Sequence, residues 1–322
     1  MKPNFKIRGL SLWIAFLVAL SVIAAACAEE APTPTPTTTP IPTSAPTPSP
    51  SPTPSLFPLV LTDSNGKEVI LEEPPERIIA FDSAAVEILF AIGESHRIVG
   101  THSFVTYPLE VADIPKVGDA FNMNFEKIAE LEPDLVYVFF DRFLPDLEAL
   151  GVKVLYIQTL GQSLDEVVEQ IRLWGRITNN AGAAEEAIRA FEARIRAVEE
   201  GVAAVREGPR VFHDVGDLWT PGPDTLIGRI YSLLKAENIA EEISGFQQFS
   251  AEVIVEKDPQ VIITLEDGRE EFLNNPAFQG VAAVKDGKVF ALPGDFLSVA
   301  GPRLAEQMEE LAELLYPDIF GG

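Results

Sequence analysis

From Arg77 onward the chain alternates short apolar runs with amphipathic stretches, and no other feature limits the possible folds so strongly. Arg77–Phe81, Arg97–Gly100, Asp134–Phe140 and Val152–Gln158 read as strands. Ala84–Ile92, Phe125–Leu131 and Leu144–Leu150 read as helices between them, closed by Gly93, Pro133 and Gly151. The second half repeats the scheme, with strands over Arg210–Val215, Val261–Leu265 and Lys288–Leu292 and helices over Thr225–Lys235 and Arg303–Leu315. Strands separated by helices predict mainly parallel sheets with helices on their faces. One segment is echoed. Glu126-Lys-Ile-Ala-Glu-Leu-Glu-Pro133 and the strand after it parallel Glu252-Val-Ile-Val-Glu-Lys-Asp-Pro259 and its strand. Gly151-Val-Lys-Val154 and Gly287-Lys-Val-Phe290 then open a late strand in each half. Two echoes in the same order predict two similar α/β lobes. Between them Leu164–Ile177 and Ala183–Val205 read as helices, the second about 23 residues and roughly 35 Å long. A rod of that kind between lobes predicts modest hinge motion.

The first residues carry a different signal. Lys2, Lys6 and Arg8 precede an unbroken apolar stretch from Leu10 to Ala26, which ends in three alanines and Cys27. A basic start, an apolar middle and a small-residue exit form the pattern of a secretory signal. Cys27 is the only cysteine, so it has no internal disulfide partner. Its position resembles that of a bacterial lipobox cysteine, which implies lipidation, although Ala24 stands where that motif usually has Leu. Pro, Thr and Ser then dominate from Pro32 to Ser55. Such composition buries no core and favours an extended spacer. The expected organisation is a signal peptide over 1–26, a lipidated cysteine and tether over 27–56, and an N-terminal α/β lobe over 57–180. An interlobe helix over 181–208 and a C-terminal α/β lobe over 209–322 complete it. The expected location is extracytoplasmic, anchored to the cell membrane by lipid.

Charge narrows the partners. The chain has 49 Asp and Glu against 24 Lys and Arg, a formal charge of −25. Such a surface argues against nucleic acid as a partner. There is no nucleophile elbow, Walker loop, paired-cysteine motif or dinucleotide fingerprint, so a binding protein is expected and not an enzyme.

Asp63-Ser-Asn-Gly-Lys-Glu68, Pro74-Pro-Glu-Arg-Ile-Ile79 and Ser83-Ala-Ala-Val-Glu-Ile-Leu-Phe-Ala-Ile-Gly93 resemble the opening of the cobalamin- and ferric-siderophore-binding proteins of ABC importers. Lys116-Val-Gly118, Leu131-Glu-Pro-Asp-Leu-Val136, Thr220-Pro-Gly-Pro-Asp-Thr-Leu-Ile-Gly228, Ala236-Glu-Asn-Ile-Ala240 and Gly301-Pro-Arg303 fit the same pattern in order. The resemblance covers residues 58 to 317 or so. It implies two Rossmann-like lobes joined by one long α-helix, a ligand cleft between them, and a monomer that delivers a small-molecule metal chelate to an ABC permease and its ATPase. No resident cofactor is expected, any cobalt or iron arriving inside the ligand. The resemblance also implies an acidic docking residue on each lobe. It places Asp141 at the first position and Ser298 at the second, where cobalamin-binding members carry glutamate, with Asp295 nearby as a substitute.

Ligands of open α/β sheets sit outside the carboxyl ends of the strands. With the strands as read above, the loops begin at Asp82, His102, Phe140, Asp217 and Glu266. The candidate ligand residues are Asp82, Ser83, His102, Phe104, Tyr107, Phe121, Phe140, Asp217, Trp219, Gln247 and Phe296. Aromatic side chains give large contact area at low entropic cost and suit a flat corrin or ferric chelate; for each of them core packing is the competing role. Three histidines are too few and too scattered for a free-ion site, and Arg142, Arg269 and Arg303 are isolated. A haem or metal-ion receptor and a surface-tethered sensor without transport are the alternatives.

Overall fold

The computed structural model describes residues 56–321 apart from Ala120, Leu160 and Gln162. The expected signal, Cys27 and nearly all of the tether lie outside the described residues. A hairpin of β1 (Leu59–Thr62) and β2 (Glu68–Leu71) comes first. Its turn is held by Asp63, whose Oδ1 accepts from the amides of Asn65 and Lys67.

The first sheet contains β3 (Ile78–Phe81), β4 (Ile98–Thr101), β5 (Leu135–Val138) and β6 (Val154–Tyr156), all parallel, in the order β4-β3-β5-β6. Helices α1 (Ser83–Ala91), α2 (Phe125–Glu130), α3 (Leu144–Ala149) and α4 (Leu164–Ile177) accompany it. Helix α5 (Ala181–Val202) then leads into the second lobe. That lobe runs through β7 (Arg210–His213), β8 (Trp219–Pro221), α6 (Leu226–Leu233), β9 (Glu237–Asn238), β10 (Phe246–Gln248) and α7 (Ala251–Lys257). It closes with β11 (Val261–Thr264), α8 (Glu266–Asn274), α9 (Ala282–Lys285), β12 (Val289–Ala291), α10 (Leu304–Leu315) and α11 (Pro317–Phe320). Its parallel sheet has the order β9-β7-β11-β12. The two sheets therefore share one strand order. The short antiparallel pair β8–β10 stands apart from the sheet.

The repetition reaches individual side chains. Arg77, just before β3, donates from Nη2 to the Leu131 carbonyl at 2.6 Å and from Nε to those of Leu131 and Glu132. Arg210, opening β7, donates from Nη2 to the Asp258 carbonyl at 2.7 Å and from Nε to those of Lys257 and Asp258. Each arginine thus caps the helix that precedes the neighbouring strand. Glu132 and Asp258 both adopt left-handed backbone, at φ 44 and φ 43, immediately before a proline. That residue reverses the chain from helix into strand in each lobe.

Side-chain alternation distributes the core. Ile78, Ala80, Leu135, Tyr137 and Leu155 face a cluster that also contains Trp174 of α4, Phe191 of α5, Tyr231 of α6 and Leu311 of α10. Val211, Val261 and Ile263 of the second sheet join the same cluster. The opposite faces, with Phe81 and Val138 in one lobe and Phe212 and Ile262 in the other, form separate clusters. One apolar core thus passes through both lobes by way of α4, α5 and α10. Helices α4 and α5 approach closely enough at Gly175 that a Cβ there would strike that of Ala184.

Several boundaries differ from the sequence reading. Strand β5 ends at Val138 and β7 at His213, each two residues early. Helix α5 begins at Ala181, where Asn180 accepts from the Ala183 amide, and ends at Val202. Helix α8 and the pairs β1–β2 and β8–β10 were not expected. Helix α8 buries only Phe272 and so shows little apolar periodicity.

Arg303 bridges the lobes. Arg303, at the start of α10, donates to Asp295 of its own lobe at 2.7 Å and lies 3.0 Å from Glu87 of α1. Its guanidinium sits 4.2 Å from the centroid of the Tyr107 ring, also in the first lobe. A Cβ on Gly301 would stand 2.6 Å from Glu87 Oε2, so any larger residue there would push on this carboxylate. Two acids share one guanidinium here. Burial pushes the Glu87 carboxyl up to about 7 against the pull of Arg303, and Asp295 pushes in the same direction.

That value lies above the usual 4.5. A group raised in this way contributes stability that is whole below its unfolded value and is lost as pH rises through the folded one. Glutamine does not titrate. The stability of Glu87→Gln relative to wild type is therefore expected to rise from about pH 5 to about pH 8, by on the order of 1–3 kcal/mol, in urea unfolding. A difference that stays flat across that range would show Glu87 ionised throughout.

Candidate binding cleft

The carboxyl ends of the two sheets face each other across a cavity of about 690 Å³. In each sheet the strand order reverses beside the first strand, between β4-β3 and β5 in one lobe and between β9-β7 and β11 in the other. Such switch points open a crevice where loops part to opposite faces. Asp82 and Phe139 follow β3 and β5, Asp214 and Leu265 follow β7 and β11, and all four line the cavity.

Asp82 caps α1, its Oδ1 accepting from the Ala84 amide at 3.2 Å. One side of it opens toward the cavity and protein packs around the rest. That burial pushes its carboxyl up to about 6, against the amides that bond to it. Ser83 Oγ lies 3.2 Å from His102 Nε2. His102 Nδ1 accepts from the Phe104 amide, and since an amide only donates, the proton of the neutral ring belongs on Nε2, facing Ser83. Burial and nearby Lys116 lower His102 to about 4, so it is neutral near pH 7.

The second lobe supplies a comparable set. His213 is buried with Nδ1 2.7 Å from the Tyr231 hydroxyl, and burial lowers it to about 4. Asp214 Oδ2 accepts from Thr264 Oγ1 at 2.8 Å and Oδ1 from the Gly216 amide. Burial raises its carboxyl despite these bonds. Thr225 caps α6, accepting from the Gly228 amide, and Asp224 beside it holds Ser244 and Gly245. Among the described residues no group of three or more His, Cys, Asp or Glu converges as a metal site.

Of the candidate ligand residues, Asp82, Ser83, His102 and Phe296 line the cavity. Phe104 and Phe121 lie outside it, both 70% exposed. Their loops are tied together where the Ser103 amide and hydroxyl donate to the Gly118 carbonyl, and the Phe104 ring is 6.4 Å from that of His102. The Phe104 ring therefore stands beside a side chain of the cavity wall, and the loop of Phe121 is joined to the same segment. Tyr107 is not in the cavity because its ring lies under Arg303. Phe140 turns into the first lobe, 5.6 Å from Phe81 and 6.0 Å from Phe143, while Phe139 lines the cavity instead. Asp217, Trp219 and Gln247 sit on the β8–β10 pair and its approach and do not line the cavity; the Asp217 carbonyl accepts from Gln248.

Among the docking candidates, Asp141 is exposed at the end of the first sheet. Asp295 is engaged by Arg303, and Ser298 is exposed where it lines the cavity. The sequence reading missed Asp214 and Asp224; His213 and Phe246, outside its final candidate set, also line the cavity. The strand-end rule reaches Asp214 once β7 stops at His213; a strand drawn to Val215 moved the loop to Asp217.

The sequence from 78 to 296 matches the model of a family described as periplasmic binding protein. An uncharacterized ABC transporter substrate-binding lipoprotein, YvrC of Bacillus subtilis, is 28% identical over 277 residues, covering 82% of this chain and 88% of that one. The periplasmic vitamin B12 binding protein BtuF of Vibrio cholerae superposes with a TM-score of 0.65 at 27% identity, covering 76% of this chain and 98% of BtuF. A Staphylococcus epidermidis protein described as a possible iron-binding (periplasmic solute-binding) protein gives 0.66 at 27% identity, covering 76% of this chain and all of its own. With most of both lobes matched, the chain belongs to the periplasmic binding protein family.

Proposed function

We propose that this chain is the extracytoplasmic substrate-binding component of an ABC importer, tethered through a lipidated Cys27, and that its cargo is a metal chelate of corrinoid type. The observation that carries the reading is the cavity itself. It lies between the carboxyl ends of two like sheets, in lobes held at a set distance by Arg303 and a shared core. A cleft with this support suits a large, rigid, flat ligand that enters without wide closure. Exposed aromatic rings beside an opening are a feature of binding edges, and Phe104 and Phe121 would cover the part of a corrin that projects. The likeness to BtuF supports the corrinoid, and the likeness to the iron-binding relative supports a ferric chelate as the second reading. Asp141, with Asp295 or Ser298, remains the proposed contact for the permease.

Titration of the protein with cyanocobalamin, cobinamide, haemin and ferric siderophores, followed by calorimetry, tests this. Saturable one-to-one binding of a corrinoid is expected. Phe104→Ala is expected to weaken it about 10-fold, whereas half-buried Phe140→Ala should lower stability by about 1–2 kcal/mol with a smaller effect on affinity. Binding of ferric chelates alone would replace the cargo and keep the importer. The anchor is tested in cells: Cys27→Ala should move the protein from the membrane to the soluble fraction, and unchanged membrane retention would remove the lipid from the reading.

A further inference from the structure

Two side chains in the cavity wall carry a hydrogen whose position their neighbours fix. His213, at the end of β7, is buried and lines the cavity. Its Nδ1 lies 2.7 Å from the Tyr231 hydroxyl, which has no other hydrogen bond among the described residues. Tyr231 is fully buried, and that burial holds its proton in place. Were the hydroxyl to accept from Nδ1, its own hydrogen would be left unpaired in the core, which is worse than an idle lone pair. Tyr231 therefore donates, Nδ1 accepts, and the proton of the neutral ring belongs on Nε2. Burial keeps the ring neutral near pH 7. Nε2 has no partner among the described residues, so its N–H is a donor left for the cavity.

The first lobe reaches the same result by another route. The Phe104 amide donates to His102 Nδ1 at 3.2 Å, which places the ring proton on Nε2, 3.2 Å from Ser83 Oγ. Ser83 Oγ accepts it and keeps a hydrogen of its own to give. Ser83 lines the cavity, and its hydroxyl donates to no group among the described residues. Other hydroxyls of the wall are spent within the protein. Thr225 donates to the Gly222 carbonyl at 2.8 Å and Thr264 to Asp214 at 2.8 Å. Lysine and arginine are absent from the described lining residues, so the wall meets a ligand's acceptors with neutral donors.

We propose that His213 Nε2–H and Ser83 Oγ–H are a pair of donors, one from each lobe, that take amide carbonyl oxygens at the edge of the cargo. This rests on the substrate-binding reading above and names the chemistry by which the cavity recognises its ligand. A carbonyl that leaves water needs a donor in its place. Each donor here is backed by a second hydrogen bond, Tyr231 to His213 and the Phe104 amide to His102. Such a chain polarises its last member and fixes it before the ligand arrives. The geometry also directs His213 at the periphery of a chelate and not at its metal. A metal-ligating histidine donates its other ring N–H, whereas Nδ1 of His213 accepts, and a protonated Nε2 has no lone pair to give.

Heteronuclear NMR of the protein with isotopically labelled histidine reads the proton positions directly. Nε2–H tautomers of His102 and His213 are expected at about pH 7, and an Nδ1–H tautomer at His213 would overturn the proposal. The probes are cyanocobalamin and the diamagnetic gallium form of a linear trihydroxamate with amide links. Whichever binds is expected to shift the His213 Nε2–H signal. Loss of that signal together with a change in the chelate's visible spectrum would mean coordination to the metal and would also overturn it. Calorimetry then compares variants. His213→Asn keeps an acceptor for Tyr231 and removes the donor, and is expected to weaken binding about 5-fold, as is Ser83→Ala. His213→Gln, whose amide N–H can take the place of Nε2–H, should return to within about 2-fold of wild type. Should His213→Asn not fold, the signal shift in the wild-type protein decides. Unchanged affinity in both His213→Asn and Ser83→Ala would remove the donor pair and leave the binding reading standing. No binding of either probe would overturn the chelate reading and the donor pair with it.

Discussion

Arg303 is held by both lobes at once, and the shape of the cleft depends on it. Its partners come from α1 and the β4 loop on one side and from the loop after β12 on the other. Removing one partner of a buried ion pair costs roughly 3–5 kcal/mol because the other charge stays behind. Wide opening would have to break this contact and also split an apolar core that passes through α4, α5 and α10. The cavity is therefore largely formed before the ligand arrives. Complementarity then has to be built into the walls, since closure has little to add.

Repetition explains where those walls come from. Two sheets of identical strand order, placed end to end, turn two switch points toward each other. The arginines before β3 and within β7 fix the helix that precedes the next strand, and the left-handed residues Glu132 and Asp258 set the turn between them. These local devices keep the starts of the central strands in line, and their ends deliver Asp82, Phe139, Asp214 and Leu265 to one space.

Much of the fold is written in the sequence because buried parallel strands are short apolar runs with sharp boundaries. The Pro133 and Pro259 segments marked both helix-to-strand turns, and the core strands lie where the runs lie. The failures share a cause. Apolarity does not end where pairing ends: Phe139 and Phe140 continue the run after β5, yet one faces the cavity and the other packs on Phe81. Val215 extends the run after β7 in the same way, which hid Asp214 behind an overlong strand. Helix α8 has too little buried surface to show a period, and the β8–β10 pair is set by contacts far apart in sequence. Tyr107 looked like a cleft residue because its loop is polar; only the second lobe, arriving with Arg303, reveals its role.

Burial makes the ionised forms of two carboxylates at the cavity, Asp82 and Asp214, costly. Asp82 accepts amide bonds at the positive end of α1 and yet is pushed up to about 6, which means that burial outweighs both the bonds and the dipole. Asp214 is raised as well, although Thr264 and Gly216 bond to it. A bound group that donates N–H to these oxygens would supply the hydrogen bonds that water no longer provides, so the same burial that destabilises the empty site strengthens each contact in the filled one.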